Sequence, residues 1–129
     1  MKLLLADDHA LFRQALCHIL SELGPGTTIV EAESLSKALA LAQEHPDLDL
    51  VLLDLKMPDV QGIDSVYAFR ERYPALPIVV LSASEDCDDI EAVLDAGALG
   101  FVPKSSPAAV LLGALRLVLE GVVYLPAQL

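Results

Sequence analysis

Five polar residues stand where short apolar runs of the chain end. Asp7 and Asp8 follow the first run and Asp54 ends the third. Ser82 and Lys104 follow the fourth and fifth runs. If these runs are strands of one parallel sheet, their carboxyl ends meet at one rim, which is where open α/β sheets bind ligands. Three carboxylates, a hydroxyl and an ammonium group would then share one site.

Three carboxylates in one pocket favour a bound cation. At an effective dielectric constant of roughly 20, two like charges ~4 Å apart repel by about 4 kcal/mol. Mg²⁺ suits such a site because it prefers hard oxygen ligands, keeps several waters and bridges readily to phosphate; Mn²⁺ is the alternative. Asp54 is then a candidate nucleophile that forms an acyl phosphate. Lys104 can neutralise a carboxylate before the transfer and a phosphoryl oxygen after it, and Ser82 can donate a hydrogen bond to that oxygen.

Each of these residues also has an ordinary structural explanation. A single aspartate at a strand end is most often a turn residue or a helix cap, and a serine there most often caps a helix. A lone lysine is most often solvated. The placement of all five side chains at strand ends therefore supports the hypothesis more strongly than any one residue does.

An alternation of strands and helices must position these side chains. We predict strands over residues 2–6, 27–33, 50–53, 77–81 and 99–102, and helices over 10–23, 35–45, 62–73 and 105–120, with a further helix around Ile90 that ends at Gly97. Residues 57–59 are predicted as a loop. The inner strands are apolar without alternation, as expected when helices cover both faces of a parallel sheet. The predicted fold class is therefore α/β, with three layers.

Composition limits the classes of function. The chain has 129 residues with 8 basic and 19 acidic side chains, a formal net charge of −11, and 54% of its residues are hydrophobic. Such a chain predicts one domain with a substantial core. The negative charge argues against contact with nucleic acid phosphates or an anionic membrane. No apolar stretch is long enough for a membrane span. The two cysteines, Cys17 and Cys87, lack metal-ligand spacing, so we expect a reduced, cytoplasmic protein.

Four ordered blocks of sequence resemble the receiver domain of bacterial two-component response regulators. They are LLADDH at residues 4–9, LDLKMPDVQG at 53–62, VLSA at 80–83 and GALGFVPK at 97–104. The first and last blocks look most like the LuxR/NarL-type subgroup, whose members usually carry a helix-turn-helix output domain. The resemblance implies a flavodoxin-like (βα)5 doubly wound sheet of strand order 2-1-3-4-5. It also implies a receiver over residues 1–121 and, at 122–129, the start of a linker to an output domain.

The resemblance further implies roles for the site residues. Asp54 would accept a phosphoryl group from the phosphohistidine of a sensor histidine kinase. Asp8, Asp54 and the backbone carbonyl of Lys56 would bind Mg²⁺, with Asp7 contributing through a water. Lys104 would contact the phosphoryl group. Such a domain is a switch and not an enzyme, apart from catalysing its own phosphorylation and dephosphorylation.

Two residues would pass the signal on. The resemblance implies that Ser82 moves toward the phosphoryl group and that Phe101 then rotates inward.

Three positions depart from the family's commonest pattern. At the position of Lys56, smaller or polar residues are frequent in the family, and a lysine there could crowd the acyl phosphate. Phe101 lacks the hydroxyl of the more usual tyrosine. Ser105 stands where many receivers have proline, so that a cis bond there would be a costly non-proline one.

The last predicted helix is apolar on nearly all sides. Between residues 108 and 120 only Arg116 and Glu120 are charged, whereas a surface helix normally shows a single apolar stripe. We expect its outer face to pack on a second copy of the chain or on an output domain. An unusually apolar helix in a small domain is the simpler explanation.

Four functions are compatible with parts of this pattern, and the last two fit it less well. The first is a phosphorylation-activated domain that regulates a DNA-binding output domain in transcription control. The alternative is a stand-alone receiver that acts through protein–protein interaction or phosphorelay. A haloacid-dehalogenase-like phosphatase also uses a strand-end aspartate with Mg²⁺, but it would want a second aspartate where this chain has Lys56. A flavodoxin-like carrier would hold phosphate at the first loop, where Asp7 and Asp8 repel it.

Overall fold

The computed structural model describes residues 1–83 and 87–125 and contains a parallel sheet between two layers of helices. The strands are β1 (Lys2–Ala6), β2 (Thr28–Ala32), β3 (Leu50–Asp54), β4 (Lys56–Met57), β5 (Val60–Gln61), β6 (Ile78–Ser82) and β7 (Gly100–Pro103). The helices are α1 (Ala10–Leu20), α2 (Leu35–Glu44), α3 (Asp64–Arg72), α4 (Cys87–Asp95) and α5 (Ala108–Leu119).

The topology brings the carboxyl ends of the strands to one rim. Five strands form the sheet in the order β2-β1-β3-β6-β7, and all neighbouring pairs are parallel. Strands β4 and β5 form a separate antiparallel hairpin, so β6 and β7 are the fourth and fifth strands of the sheet. The strand order is therefore the expected 2-1-3-4-5, and the flavodoxin-like fold class is confirmed. In the register, Ala6 lies opposite Leu53, and Asp54 lies opposite Leu81. The residues that end β1, β3 and β6 therefore stand almost level.

Two apolar clusters, one on each face of the sheet, hold the layers together. Alternate residues of a strand point to opposite faces. Leu4, Val51 and Val80 accordingly pack against α2, α3 and α4, while Leu5 and Leu52 pack against α1 and α5. Every residue of β3 and β6 is buried. Polar groups in these inner strands can therefore reach solvent only at the strand ends.

Helices α3 and α5 begin later than the sequence pattern predicts. Gly62 has a φ of +67°, which is left-handed and not helical, so α3 starts at Asp64. Residues 105–106 form a turn, and Pro107 is the N-cap of α5, so that helix starts at Ala108. A proline disfavours helical backbone at the residue before it. The prediction of a helix from residue 105 was therefore wrong by three residues.

The predicted loop at residues 57–59 contains part of a hairpin. Strands β4 and β5 pair Lys56 with Gln61 and Met57 with Val60. The N–H of Gly62 donates to the carbonyl of Leu55 at 3.1 Å. We call residues 55–62 the rim hairpin, because it follows directly from the strand end at which Asp54 stands.

The first part of the predicted linker lies against the sheet. The N–H of Tyr124 donates to the carbonyl of Leu99 at 2.9 Å, and Tyr124 forms a parallel bridge with Gly100. Residues 126–129 of that prediction lie outside the described residues, as does the side chain of Cys87. Within the described part of the chain no peptide bond is cis, including the one before Ser105. No helix in that part is long and apolar enough to cross a membrane.

Candidate functional site

A buried ion-pair cluster lies at the carboxyl rim of the sheet. The Nζ atom of Lys104 is 2.9 Å from Oδ2 of Asp7 and 3.2 Å from Oδ2 of Asp54. The Asp7 side chain is fully buried, and Asp54 is only 3% exposed. Formally, two carboxylates share one ammonium group, so the cluster retains negative charge in a place that water barely reaches.

Main-chain hydrogen bonds of the sheet fix the three members of this cluster. The N–H of Asp7 donates to the carbonyl of Ala32 at 3.0 Å, which continues the β1–β2 ladder by one residue. The N–H of Lys104 donates to the carbonyl of Ser82 at 2.8 Å, which does the same for β6 and β7. Asp54 is itself the last residue of β3. The backbone thus sets where each charge stands.

Burial and charge shift the pKa values of two members. Burial raises the pKa of Asp54 above its usual value; the Lys56 N–H and Lys104 pull in the opposite direction, and the charge of Asp7 adds to the rise. For Lys104, burial alone would lower the pKa, but contact with Asp7 and the charge of Asp54 outweigh it, so the pKa is raised. Lys104 therefore stays cationic at neutral pH, and Asp54 is a carboxylate held in an unfavourable environment.

The oxygens around this cluster fit a hard divalent cation. Asp7, Asp8, His9 and Asp54 each offer a ligand atom, and these atoms all lie within 4.8 Å of one another. Among the described residues, Oδ2 of Asp7 is buried and accepts no hydrogen bond of regular geometry; its contact with Lys104 is an ion pair. Carboxylate oxygens are the ligands that Mg²⁺ prefers, with waters completing its shell. The acidic cluster is thus compatible with Mg²⁺ binding.

A cavity opens from this rim toward solvent. It has a volume of about 440 Å³, and its lining includes Asp8, Lys56, Ser82 and Asp89. Ser82 is buried, while Lys56 is exposed. The N–H of Lys56 donates to Oδ1 of Asp54 at 3.2 Å. A phosphoryl donor that enters this cavity would meet acidic, basic and hydroxyl side chains together.

Phe101 lies apart from these polar groups. Its ring is fully buried in the apolar cluster on the α3 and α4 side of the sheet. The inward rotation that the resemblance implies for Phe101 stays a prediction. The structure brings Asp7, Asp8, Asp54 and Lys104 together at the rim, and Ser82 and Lys56 stand in the adjoining cavity.

Three residues of helix α1 and its start belong to the site and were missed in the sequence. Nδ1 of His9 lies 3.2 Å from Oδ1 of Asp7 and 3.1 Å from Oδ1 of Asp8. The Nζ atom of Lys104 stands 4.6 Å from the ring centroid of Phe12, a cation–π contact. Arg13 donates to the carbonyl of Asp7 and pairs with Glu31 at 3.1 Å. The helical spacing after Asp8 is the signal that could have placed Phe12 at this rim.

Comparison with known proteins agrees with this geometry. The family described as the response regulator receiver domain matches residues 3–116. The chain is 40% identical over 128 residues to the glycerol metabolism activator of Pseudomonas putida, a match that covers 99% of this chain and 58% of the relative. It is 38% identical over 116 residues to the nitrate/nitrite response regulator NarP of Escherichia coli K12, covering 89% of this chain and 53% of the relative. The chain thus spans a little over half the length of these two relatives.

A solved structure supports the same family. The LuxR-family two-component response regulator from Aurantimonas sp. SI85-9A1 superposes with a TM-score of 0.90 at 28% identity, over 98% of this chain and 89% of that one. The family match covers nearly all of the described sheet and its helices, and the relatives are LuxR/NarL-type regulators. The chain therefore belongs to the response regulator receiver domain family.

Proposed function

We propose that this receiver is a phosphorylation-activated switch whose phosphoacceptor is Asp54. The observation that supports the proposal most strongly is the Lys104 ammonium, which contacts the buried carboxylates of Asp54 and Asp7 together. A carboxylate in this environment is a nucleophile at a site that already contains a cation for the incoming phosphoryl charge. The proposed partner is a sensor histidine kinase. The proposed location of the protein is the cytoplasm.

In the proposed transfer, a carboxylate oxygen of Asp54 attacks the phosphorus of a phosphohistidine. A P–O bond forms, the P–N bond breaks, and the imidazole leaves and takes up a proton. Asp8, Asp54 and the Lys56 carbonyl would hold Mg²⁺, with Asp7 contributing through a water, and the bound ion would supply positive charge to the phosphoryl oxygens. Lys104 gives up its contact with the Asp54 carboxylate and contacts a phosphoryl oxygen.

Ser82 and Phe101 are the residues that we propose to pass on the change. The hydroxyl of Ser82 donates to the phosphoryl group, and this moves the end of β6. Because the carbonyl of Ser82 accepts the N–H of Lys104, such a movement also displaces the end of β7. Phe101, buried on β7, then changes its packing. Added negative charge and strong acceptor oxygens at one point supply the driving force.

The same proposal covers the protein beyond this domain. Residues 1–121 form the receiver, and residues 122–129 begin the linker to a DNA-binding output domain that controls transcription. The greater length of the two curated relatives, one of which is an activator by name, supports this arrangement over a stand-alone receiver. The receiver itself, with its net charge of −11, would not contact DNA.

We predict that the chain gains one phosphoryl group on Asp54. Incubation with Mg²⁺ and a small acyl-phosphate donor should add the mass of one phosphoryl group to the intact protein. EDTA should abolish the gain, and so should Asp54→Asn, which removes the attacking oxygen. A gain that survives in Asp54→Asn would place the phosphoacceptor elsewhere. No gain in the wild-type chain under any Mg²⁺ concentration would contradict the proposal.

We also predict that Asp54→Asn makes the metal-free protein more stable at neutral pH. The folded pKa of Asp54 is raised, so its contribution to stability is fully present below the unfolded pKa of about 3.9 and is lost as pH rises through the folded pKa. The stability advantage of Asp54→Asn should therefore grow from acid to neutral pH. Urea unfolding followed by circular dichroism in EDTA measures it.

Asp47→Asn is the matched control with the opposite sign. The pKa of Asp47 is lowered, chiefly by its hydrogen bond with Lys2. Its contribution to stability is present above the unfolded pKa and is lost as pH falls through the folded pKa. Asp47→Asn should thus weaken the fold slightly at neutral pH. If Asp54→Asn also weakens the fold at neutral pH, as this control should, the burial of the ionised Asp54 carboxylate is not unfavourable and this prediction fails.

The outer face of α5 is proposed as a contact between two copies of the chain. The inner face of this helix packs on the sheet through Leu111, Leu115 and Val118. Val110 and Leu117 lie outside this inner face of the helix, and they are 39% and 41% exposed. The neighbouring segment adds exposed Val122 and Val123, among others. Exposed apolar side chains grouped in this way are typical of an interface.

We predict that Leu117→Glu weakens self-association about tenfold or more, since it buries a charge in the proposed contact. Sedimentation equilibrium over a range of concentrations measures the dissociation constant. Tyr67→Glu is the control, because Tyr67 is exposed on α3, on the other side of the sheet. Wild-type chain that stays monomeric both with and without the phosphoryl group would contradict this contact.

A further inference from the structure

The tip of the rim hairpin is tied to helix α2. Oδ1 of Asp59 accepts the N–H of Leu35 at 2.9 Å, and Oδ2 accepts the N–H of Ser36 at 2.8 Å. Asp59 lies 24 residues beyond Leu35 in the chain. One exposed side chain therefore connects two elements that have no covalent connection nearby.

These two bonds complete the N-terminus of α2. The first N–H groups of a helix have no partner within the helix, and a carboxylate is favoured there because the helix dipole is positive at that end. Ser34 caps the helix from its own sequence, with its Oγ accepting the N–H of Lys37 at 3.2 Å. Asp59 accepts hydrogen bonds from the N–H groups of Leu35 and Ser36, which the Ser34 side chain does not contact. The same bonds lower the pKa of Asp59, so it is ionised at neutral pH.

The base of the hairpin stands at the phosphoacceptor. The N–H of Lys56 donates to Oδ1 of Asp54 at 3.2 Å, and the N–H of Gly62 donates to the carbonyl of Leu55 at 3.1 Å. Each strand of the hairpin has only two residues. Isolated two-stranded hairpins are marginal even when longer, so contacts outside the hairpin must fix its position. The bonds of Asp59 are such contacts.

We propose that Asp59 is a positioning residue for the Mg²⁺ site. By holding the tip of the rim hairpin on α2, Asp59 keeps the main chain of Lys56 beside Asp54. In that position the Lys56 carbonyl would be the third protein ligand of the metal, after Asp8 and Asp54. Asp59 does not itself contact the metal or the phosphoryl group. This inference rests on the proposed function, because it concerns the same Mg²⁺ site.

The test compares Asp59→Ala with Ser34→Ala in the whole chain. Asp59→Ala frees the hairpin tip, so the affinity for Mg²⁺ in isothermal titration calorimetry should fall by about tenfold, the size of effect seen when a residue that orients metal ligands is lost. Hydrogen exchange of the Gly62 amide should become faster. Ser34→Ala weakens the same helix end but keeps both bonds of Asp59, so both readouts should stay near their wild-type values.

Asp59→Asn gives a milder perturbation, because its one carbonyl oxygen still accepts a hydrogen bond, and it should fall between wild type and Asp59→Ala. Unchanged affinity and unchanged Gly62 exchange in Asp59→Ala would overturn the inference. Equal losses in Asp59→Ala and Ser34→Ala would also overturn it, since helix stability alone would then explain both. If the wild-type chain does not bind Mg²⁺, the proposed function fails instead, and Gly62 exchange still reports whether Asp59 holds the hairpin.

Discussion

The shared ammonium of Lys104 is the interaction on which the rest of the rim depends. Two carboxylates that are almost completely buried face one positive charge at 2.9 and 3.2 Å. Removing Lys104 would leave two buried carboxylates without a counter-charge, and an uncompensated buried charge typically costs several kcal/mol. With Lys104 present, the rim remains short of positive charge. A divalent cation fits this deficit, and with such a cation bound the rim could also hold the negative charge of a phosphoryl group that Lys104 contacts.

The fold places this polar cluster at the only part of the inner strands that can hold one. Helices cover both faces of the sheet, and the side chains of β3 and β6 are buried along their whole length. Asp54 and Ser82 are therefore the last residues of strands whose other members are all apolar. The ladder bonds that end at Asp7 and Lys104 then fix the distances between the charges. In β3 and β6, the apolar residues thus supply the packing of the core, and the last residue supplies the polar group of the site.

The sequence predicted the strands and the residues at their ends, because apolar runs closed by a polar residue are a local pattern. Asp7, Asp54 and Lys104 could be found in this way, although the strand order came from the family resemblance. The contacts of Phe12 with Lys104 and of Asp59 with α2 could not be found. They join residues that are distant in the chain, and each residue has an ordinary helical or turn explanation. Gly62 and Pro107 shifted helix starts by backbone conformation, which apolar spacing does not reveal.

The same rim connects the site to the remainder of the domain through short main-chain links. Lys104 bonds to Ser82 through its backbone and to Asp54 through its side chain, while Lys56 links Asp54 to the rim hairpin. Asp54 is therefore separated from the ends of β6 and β7 and from the hairpin by only one or two hydrogen bonds. Since Tyr124 bonds to the residue before β7, the segment after α5 is held by the strand that carries Lys104 at its end.

If the charge deficit at this rim binds a divalent cation, a titration of the ¹⁵N-labelled chain with Mg²⁺ should give saturable, one-site changes in backbone amide signals that are largest at Asp7, Asp8, Lys56 and Lys104. The absence of saturable changes would contradict such binding. Changes centred on Asp47 and Asp49, the acidic residues that contact Lys2 at the opposite end of the sheet, would contradict it equally.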